Sequence, residues 1–468
     1  MRVHAACARI RNPYRCTRND TCMRKMACAI YMIGVLLLGG AAAWTIDIVP
    51  NITVHMNEVI SIPFSVHDSL LYPHTWVVST DRHIATASFQ EITSNQTSFN
   101  GILNITGVFL GRTKLTFTMT KMTNKSQEVS FITVIRQERI IDTIFTASVA
   151  VLVSILYINF GCAMDWGVCR DTLKKPIGPA IGFVCQFLTM PLLSFLIGYL
   201  LFPDRPELQI GMFFTGISPS GGASNIWTLL LDGNLNLSIT MTTICTIAAF
   251  GMMPFWVFAL GRYIFAEAEI AVPYRHIGTL MAGLMIPLAI GFFIQKKFPR
   301  VSKILVRIMK PFSVILILFI IIFAITTNLY LFQLFSWEIV VAGMGLPWLG
   351  FTFGFVIAYI CKQPQADIRA IAIETGIQNT GVAIFLLRFT LKSPADDLTT
   401  VVPVSAAIMT PIPLVILFII KLIYRYRKKT KTEVTLDPVP SLEKLQQTTD
   451  IGTITQVNDS RIIFDRAE

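Results

Sequence analysis

From Ile140 to the last basic cluster the chain carries nine apolar runs, with approximate limits 140–161, 177–201, 208–230, 235–259, 277–294, 311–332, 339–360, 370–388 and 400–422. Each is close to the roughly 20 residues that a helix needs to cross the hydrocarbon of a bilayer. Inside lipid a backbone must satisfy its own hydrogen bonds, so runs of this kind fold as helices. The expected class is therefore an all-α polytopic membrane bundle of about nine spans. Only 14% of the 468 residues are charged and 53% are hydrophobic, whereas soluble domains carry about 25% charged residues. A disordered scaffold or a purely soluble enzyme does not have this balance.

The net charge of +11 raises the question of a nucleic-acid partner, and the placement of the basic residues answers it. If the segment before Ile140 lies outside, the inside connections carry Arg170, Lys174 and Lys175, then Lys296, Lys297, Arg300, Lys303, Arg307 and Lys310. Lys362 and Arg369 follow, then Lys421, Arg425, Arg427, Lys428, Lys429 and Lys431. The outside loops hold only Arg205, Arg262, Arg275 and Lys392. That asymmetry is the positive-inside bias of a membrane protein, and no nucleic-acid partner is needed to explain it.

The first 25 residues are basic, an apolar stretch runs from Met26 to about Ala43, and small residues close it. Residues 1–44 read as a secretory signal or, uncleaved, as a signal anchor. Both place residues 45–137 in the lumen or outside the cell. This segment holds no Cys and alternates with the period of half-buried strands at Ile60–Phe64, Gly101–Ile105, Lys114–Met119 and Val129–Ile135. It is expected to be a small β-sandwich of immunoglobulin type without the inter-sheet disulfide. Sequons at Asn51, Asn95, Asn104 and Asn124 mark it as glycosylated. The membrane domain is expected over 138–429, and the polar tail over 430–468 reads as disordered and cytoplasmic.

Catalytic constellations are thin. Five of the six His precede the bundle, and no HExxH, GxSxG or phosphate-binding Gly loop occurs; an enzyme is not expected. Two spans instead break the rules for a lipid-facing helix. The third contains Ser218-Pro219-Ser220-Gly221-Gly222-Ala223-Ser224-Asn225, and the eighth contains Glu374-Thr375-Gly376-Ile377-Gln378-Asn379-Thr380-Gly381. Pro removes a backbone donor and glycines weaken a helix. An ionised carboxylate at this depth is costly unless it faces a cavity or a cation. Interrupted spans at matching places in two halves point to the central site of a secondary transporter. Here they are the middle members of spans two to four and seven to nine, the arrangement of an inverted repeat. Ser238 and Thr242, four apart on one helical face, and the isolated amide Gln186 would suit a hard cation beside Glu374. Read singly, these hydroxyls can bond their own backbone and Gln186 can tie two helices together.

Cys162-Ala163-Met164-Asp165, Gln186-Phe187 with Met190-Pro191, the Ser218–Asn225 octet, Asn236-Leu237-Ser238 with Met241-Thr242-Thr243, Gly251-Met252-Met253-Pro254 and Glu374–Asn379 together resemble the bile acid:sodium symporter family in order and spacing. The resemblance covers about residues 140 to 425. The β domain before the spans is similar to the P3/P5-like branch, while the bundle motifs look closer to the liver and ileal transporters. It implies core and panel domains, with two discontinuous crossing helices in the core. It implies one sodium site at Ser224, Asn225, Ser238, Thr242 and Glu374. A second would use Gln186, Glu374, Gln378 and the carbonyls of Thr375 and Ile377. One position departs: the family commonly reads Ser-Pro-Gly-Gly, and Ser220 replaces the first Gly.

The function so implied is sodium-coupled symport of amphipathic organic anions, bile-acid-like or sulfated-steroid-like, by alternating access. The half-helix N-termini near Asn225 and Asn379 would accept the anion. Sodium is the only metal expected, as cargo, and no cofactor is expected. The alternatives are a surface receptor with a vestigial bundle and a symporter of a small organic acid. The expected location is the plasma membrane, β domain outside and C-terminus cytoplasmic; the oligomeric state stays open.

Overall fold

The computed structural model describes residues 44–68, 76–94, 98–119, 126–137, 140–308 and 336–434. The signal segment up to Ala43, the sequons at Asn95 and Asn124, the run at 311–332 and the tail beyond Val434 lie outside the described residues.

The amino-terminal region is a two-sheet sandwich. Its strands are β1 (Trp44–Asp47), β2 (Asn51–His55), β3 (Val59–Asp68), β4 (Trp76–Ser79), β5 (Ala85–Ser94), β6 (Ser98–Gly107), β7 (Gly111–Met119) and β8 (Ser126–Ile135). One sheet has the order β1-β3-β6-β5 and the other β2-β8-β7-β4. Setting β2 aside, this is the four-plus-three strand order of an immunoglobulin constant-type sandwich; β2 is added in parallel to β8. Alternate residues of both sheets meet in one core, with Phe64, Leu103 and Ile105 from the first and Ile52, Leu115, Phe117 and Ile132 from the second. Phe64 packs at 5.4 Å between ring centroids on Phe117, so aromatic and aliphatic burial occupies the place of an inter-sheet disulfide. Four of these strands coincide with the alternating runs. The short strands β1, β2 and β4 carry too few residues for alternation to stand out.

The rest is helical. The elements are α1 (Ile140–Ala163), α2 (Trp166–Leu173), α3 (Ile177–Val184), α4 (Met190–Leu201), α5 (Pro206–Ile217), α6 (Ala223–Leu230), α7 (Leu235–Trp256), α8 (Arg262–Glu267) and α9 (Tyr274–Lys297). They continue as α10 (Trp337–Ile360), α11 (Gln365–Gly376), α12 (Thr380–Thr390), α13 (Ala395–Leu398), α14 (Val401–Met409) and α15 (Pro411–Val434). Among the described residues six helical stretches are long and apolar enough to cross a membrane. The third and eighth expected spans are each two half-helices, α5 with α6 and α11 with α12. Large apolar side chains such as Ile412, Ile416, Leu417 and Ile420 on α15 are exposed, an arrangement that lipid, not water, accommodates.

The half-helices sit at the centre. Every residue from Leu208 to Ile217 is buried, as is every residue from Ala370 to Gly376. Helices α1 and α9 form a close pair elsewhere in the bundle. A Cβ on Gly161 would overlap the Leu288 carbonyl, and one on Gly291 the Ile158 carbonyl. Cys162 Sγ donates to Gly291 O at 3.3 Å and Gln295 donates to the carbonyls of Cys162 and Met164. Asp165 caps α2 by accepting from the amides of Gly167 and Val168. The Cys162–Asp165 motif is thus packing and capping. Gly291→Val should force the pair apart and lower the thermal midpoint in detergent by the equivalent of about 1–3 kcal/mol. A midpoint equal to that of the unchanged protein would show that the two helices separate freely.

Candidate functional site

The two interrupted helices meet at their unwound segments. Asn379 N donates to Pro219 O at 2.8 Å and Gly221 N donates to Ile377 O at 2.9 Å, which pairs Ser220 antiparallel with Gln378. Pro219 and the glycines free backbone groups from helical bonding, and the other broken segment takes them up. Non-helical backbone deep in a bundle requires such partners. Ser220 has no positive φ, so a side chain is accommodated where the related pattern has glycine.

Glu374 lies in the last turn of α11 and is 2% exposed. Thr242 Oγ1 donates to its Oε1 at 2.6 Å and Ser238 Oγ to its Oε2 at 2.9 Å. Thr242 and Ser238 project from the same face of α7, one turn apart, which brings both hydroxyls to one carboxylate. Asn225 Oδ1 is 3.5 Å from Thr242 Oγ1. The hydroxyls of Ser220 and Ser224 approach the carboxylate loosely, and both are buried without a well-formed hydrogen bond. The first expected cation set, Ser224, Asn225, Ser238, Thr242 and Glu374, therefore converges from α6, α7 and α11. Thr228 joins it, its Oγ1 at 3.3 Å from Ser238 Oγ; as one more Thr in an apolar run it carries no mark in the sequence.

The second set also comes together, but its oxygens are engaged. Gln186 Nε2 donates to Gln378 Oε1 at 2.8 Å and to Ser218 O at 2.7 Å. Gln378 Nε2 donates to Thr375 O at 2.8 Å, and Ile377 O accepts from Gly221. Gln186 thus does tie helices together here, and the amide pair lies where the resemblance puts an ion. Its position comes from a π-helical turn, Cys185–Thr189, a distortion frequent at functional sites. Pro191 lacks an N–H for the Phe187 carbonyl four residues earlier, and Trp256 Nε1 fills that place at 2.7 Å.

The two asparagines stand at half-helix N-termini. Asn379 Oδ1 caps α12 by accepting from Val382 N at 3.3 Å, and its Nδ2 is buried without a partner. Asn225 lies in the first turn of α6 and lines a cavity of about 220 Å³ with Phe160, Leu229, Ile239, Thr242, Thr246 and Leu288. Asn379 lines a separate cavity of about 140 Å³ that includes Trp227 and Gln378. The structure does not bring Asn225 and Asn379 to one cavity, because the crossing stands between them. Of the residues lining the larger of these two cavities, Phe160 and Ala163 lie at the C-terminal end of α1, a helix about 36 Å long that starts beside the sandwich.

Sequence reading missed an ionic cluster at the sandwich end. Arg388 pairs with Asp396 at 3.4 Å and with Asp397, which also meets Arg136 of the segment leading into α1 at 3.5 Å. An Arg at the end of an apolar run and two adjacent Asp in a loop were the only local signals.

Interrupted helices crossing at a buried carboxylate inside an apolar, lipid-compatible bundle define a multi-pass membrane transporter class. A family model described as the Sodium Bile acid symporter family matches residues 149–333. The ileal sodium/bile acid cotransporter of Oryctolagus cuniculus is 30% identical over 264 residues, 56% of this chain and 74% of that one. That of Cricetulus griseus is 32% identical over 261 residues, 55% of this chain and 73% of the relative. The P3 protein of Homo sapiens is 31% identical over 261 residues, 55% of this chain and 54% of its own length. The chain belongs to the sodium bile acid symporter family. The matched region spans about half of the P3 protein and about three quarters of the ileal relatives.

Proposed function

We propose that the protein is a sodium-coupled symporter of amphipathic organic anions that works by alternating access, with the β-sandwich outside and the C-terminus in the cytoplasm of a plasma-membrane protein. The observation that carries this reading is the Glu374 carboxylate. It is buried and hydrogen-bonded by two hydroxyls, with two more hydroxyls and one amide oxygen around it. A hard cation takes oxygens of these types, and a carboxylate without a cation is costly at such depth. Sodium bound there favours the crossing geometry that presents the Asn225 and Asn379 ends of α6 and α12 to an anion, and that differential affinity is the coupling.

The test is uptake of taurocholate and of a steroid sulfate into cells expressing the protein, in sodium and in choline buffer. Sodium-dependent uptake of either is expected. No uptake of either, with the protein at the surface, would overturn the substrate assignment. One observation favours a second reading, a small organic acid as substrate: the cavity at Asn225 is about 220 Å³, below the roughly 300–1,000 Å³ of sites for drug-sized ligands. Competition by short carboxylates in the same assay separates the two.

The orientation has its own check. Asn51 is exposed on β2, whereas Asn104 accepts from Ser61 Oγ at 2.7 Å and is half-buried. Glycosidase treatment should shift the mobility of the protein, and Asn51→Gln should remove more of that shift than Asn104→Gln. An unglycosylated protein from mammalian cells would count against an outside sandwich.

A further inference from the structure

We infer that Ser220 is an additional oxygen ligand for the transported cation, set at the boundary between the two expected sodium sites. The inference rests on the cation reading of the Glu374 site.

Most buried hydroxyls of the bundle are satisfied by the carbonyl one helical turn earlier. Thr215 donates to Gly211 O, Ser218 to Phe214 O, Thr246 to Thr242 O, Thr375 to Ile371 O and Thr390 to Leu386 O, all at 2.7–2.8 Å. Ser220 cannot do this, because the chain leaves α5 at an extended Ser218 and Ser220 lies in the unwound segment beyond it. Its side chain is fully buried at 0% exposure, and its hydroxyl has no well-formed hydrogen bond, only a loose approach to Glu374. A buried hydroxyl left in that state is unfavourable, so the site is built as though another partner were to arrive.

The backbone fixes where that hydroxyl points. Ser220 and Gln378 are opposite each other in an antiparallel bridge, flanked by the bonds Gly221 N to Ile377 O and Asn379 N to Pro219 O. That is the closely spaced, non-hydrogen-bonded type of pair, whose two side chains emerge on the same face. Gln378 belongs to the second expected site, and Glu374, which the Ser220 hydroxyl faces, belongs to both. Ser224 is the other hydroxyl at this carboxylate without a well-formed bond, and it is one of the ligands the family resemblance implies. Ser220 matches it in burial, in unpaired state and in aim. A side chain here adds an oxygen where glycine offers none, so the site should hold its cation more tightly than the same cage without it.

The test uses the full-length protein in detergent. Its thermal midpoint is followed as sodium chloride replaces choline chloride at constant ionic strength, a readout that needs no substrate and no transport. The unchanged protein should be stabilised by sodium with saturation. Ser220→Ala should keep the choline midpoint and need about tenfold more sodium for half of the effect, the scale of one lost neutral ligand. Ser238→Ala, which removes a direct partner of Glu374, serves as the reference and should shift at least as far. If Ser238→Ala shifts and Ser220→Ala does not, Ser220 is no ligand and the sodium reading stands. If the unchanged protein gains nothing from sodium, both readings fall together. Should Ser220→Ala lose its fold in choline, Ser220→Gly, the residue of the related pattern, gives the same comparison.

Discussion

Glu374→Ala is expected to abolish sodium-dependent uptake while leaving the amount of protein at the cell surface unchanged. The carboxylate is the only acid among the converging side chains, and Ser238, Thr242, Ser220 and Ser224 supply neutral oxygens around it. Neutral oxygens alone do not compensate a cation taken out of water. Removing one partner of a buried charge pair costs about 3–5 kcal/mol, which corresponds to a loss of at least about 100-fold in sodium affinity. Glu374→Gln sharpens the argument. The amide keeps the shape and can accept from one hydroxyl, but its NH2 cannot accept from the other, and the charge is gone. It should fail nearly as fully as alanine in uptake and in stabilisation by sodium, while its midpoint in choline stays closer to that of the unchanged protein. Normal sodium-dependent uptake by either variant would refute the assignment of Glu374.

How far the sequence speaks for this site depends on whether a feature is written locally. Pro219, Gly221 and Gly222 in one apolar run, and Gly376 and Gly381 beside an acid in another, are local violations of helix chemistry, and the structure breaks both helices there. Ser238 and Thr242 are legible through their spacing of four, which needs only helical geometry. Gln186 is visible as an isolated amide, but the π turn that aims it is not. That turn depends on Pro191 and on the Trp256 indole 69 residues away in sequence, a contact no periodicity encodes. Strands β3, β6, β7 and β8 are likewise legible, whereas the ten-residue β5, with its register shift at Glu91–Thr93, and the short β1, β2 and β4 are not and owe their place to partners in the sheet. Hydroxyls are the hardest case. Thr246 and Ser220 are both small polar residues near the site, yet the first is spent on its own helix and the second is not. Only the backbone around each decides, so composition alone leaves them alike.

Asp397→Ala should be far more damaging than a change in a second ion pair between sandwich and bundle. That pair, Arg112 with Glu269 at 3.7 Å, leaves 33% and 47% of the two side chains exposed, and pairs of this kind contribute about 0–1 kcal/mol. Asp397 is 2% exposed and lies between Arg388 and Arg136, whose side chains are 8% and 13% exposed. Its removal takes the shared carboxylate away from two largely buried guanidiniums. The expected cost is about 3–5 kcal/mol, read as a lowered thermal midpoint and poor surface delivery. Arg136→Ala should be milder, because Arg388 at the C-terminal end of α12 still balances Asp397 and is itself favoured by the helix dipole. Arg136 leads into α1, whereas Asp397 lies on α13 just after α12, so this pair joins the sandwich linker to the segment that follows the second interrupted helix. The double variant decides whether the link is real. Arg136→Ala combined with Asp397→Ala should cost less than the sum of the single changes by about 1 kcal/mol or more. Strict additivity would mean that the sandwich rests on the bundle without holding it, and that motion of the crossing helices leaves the β domain behind.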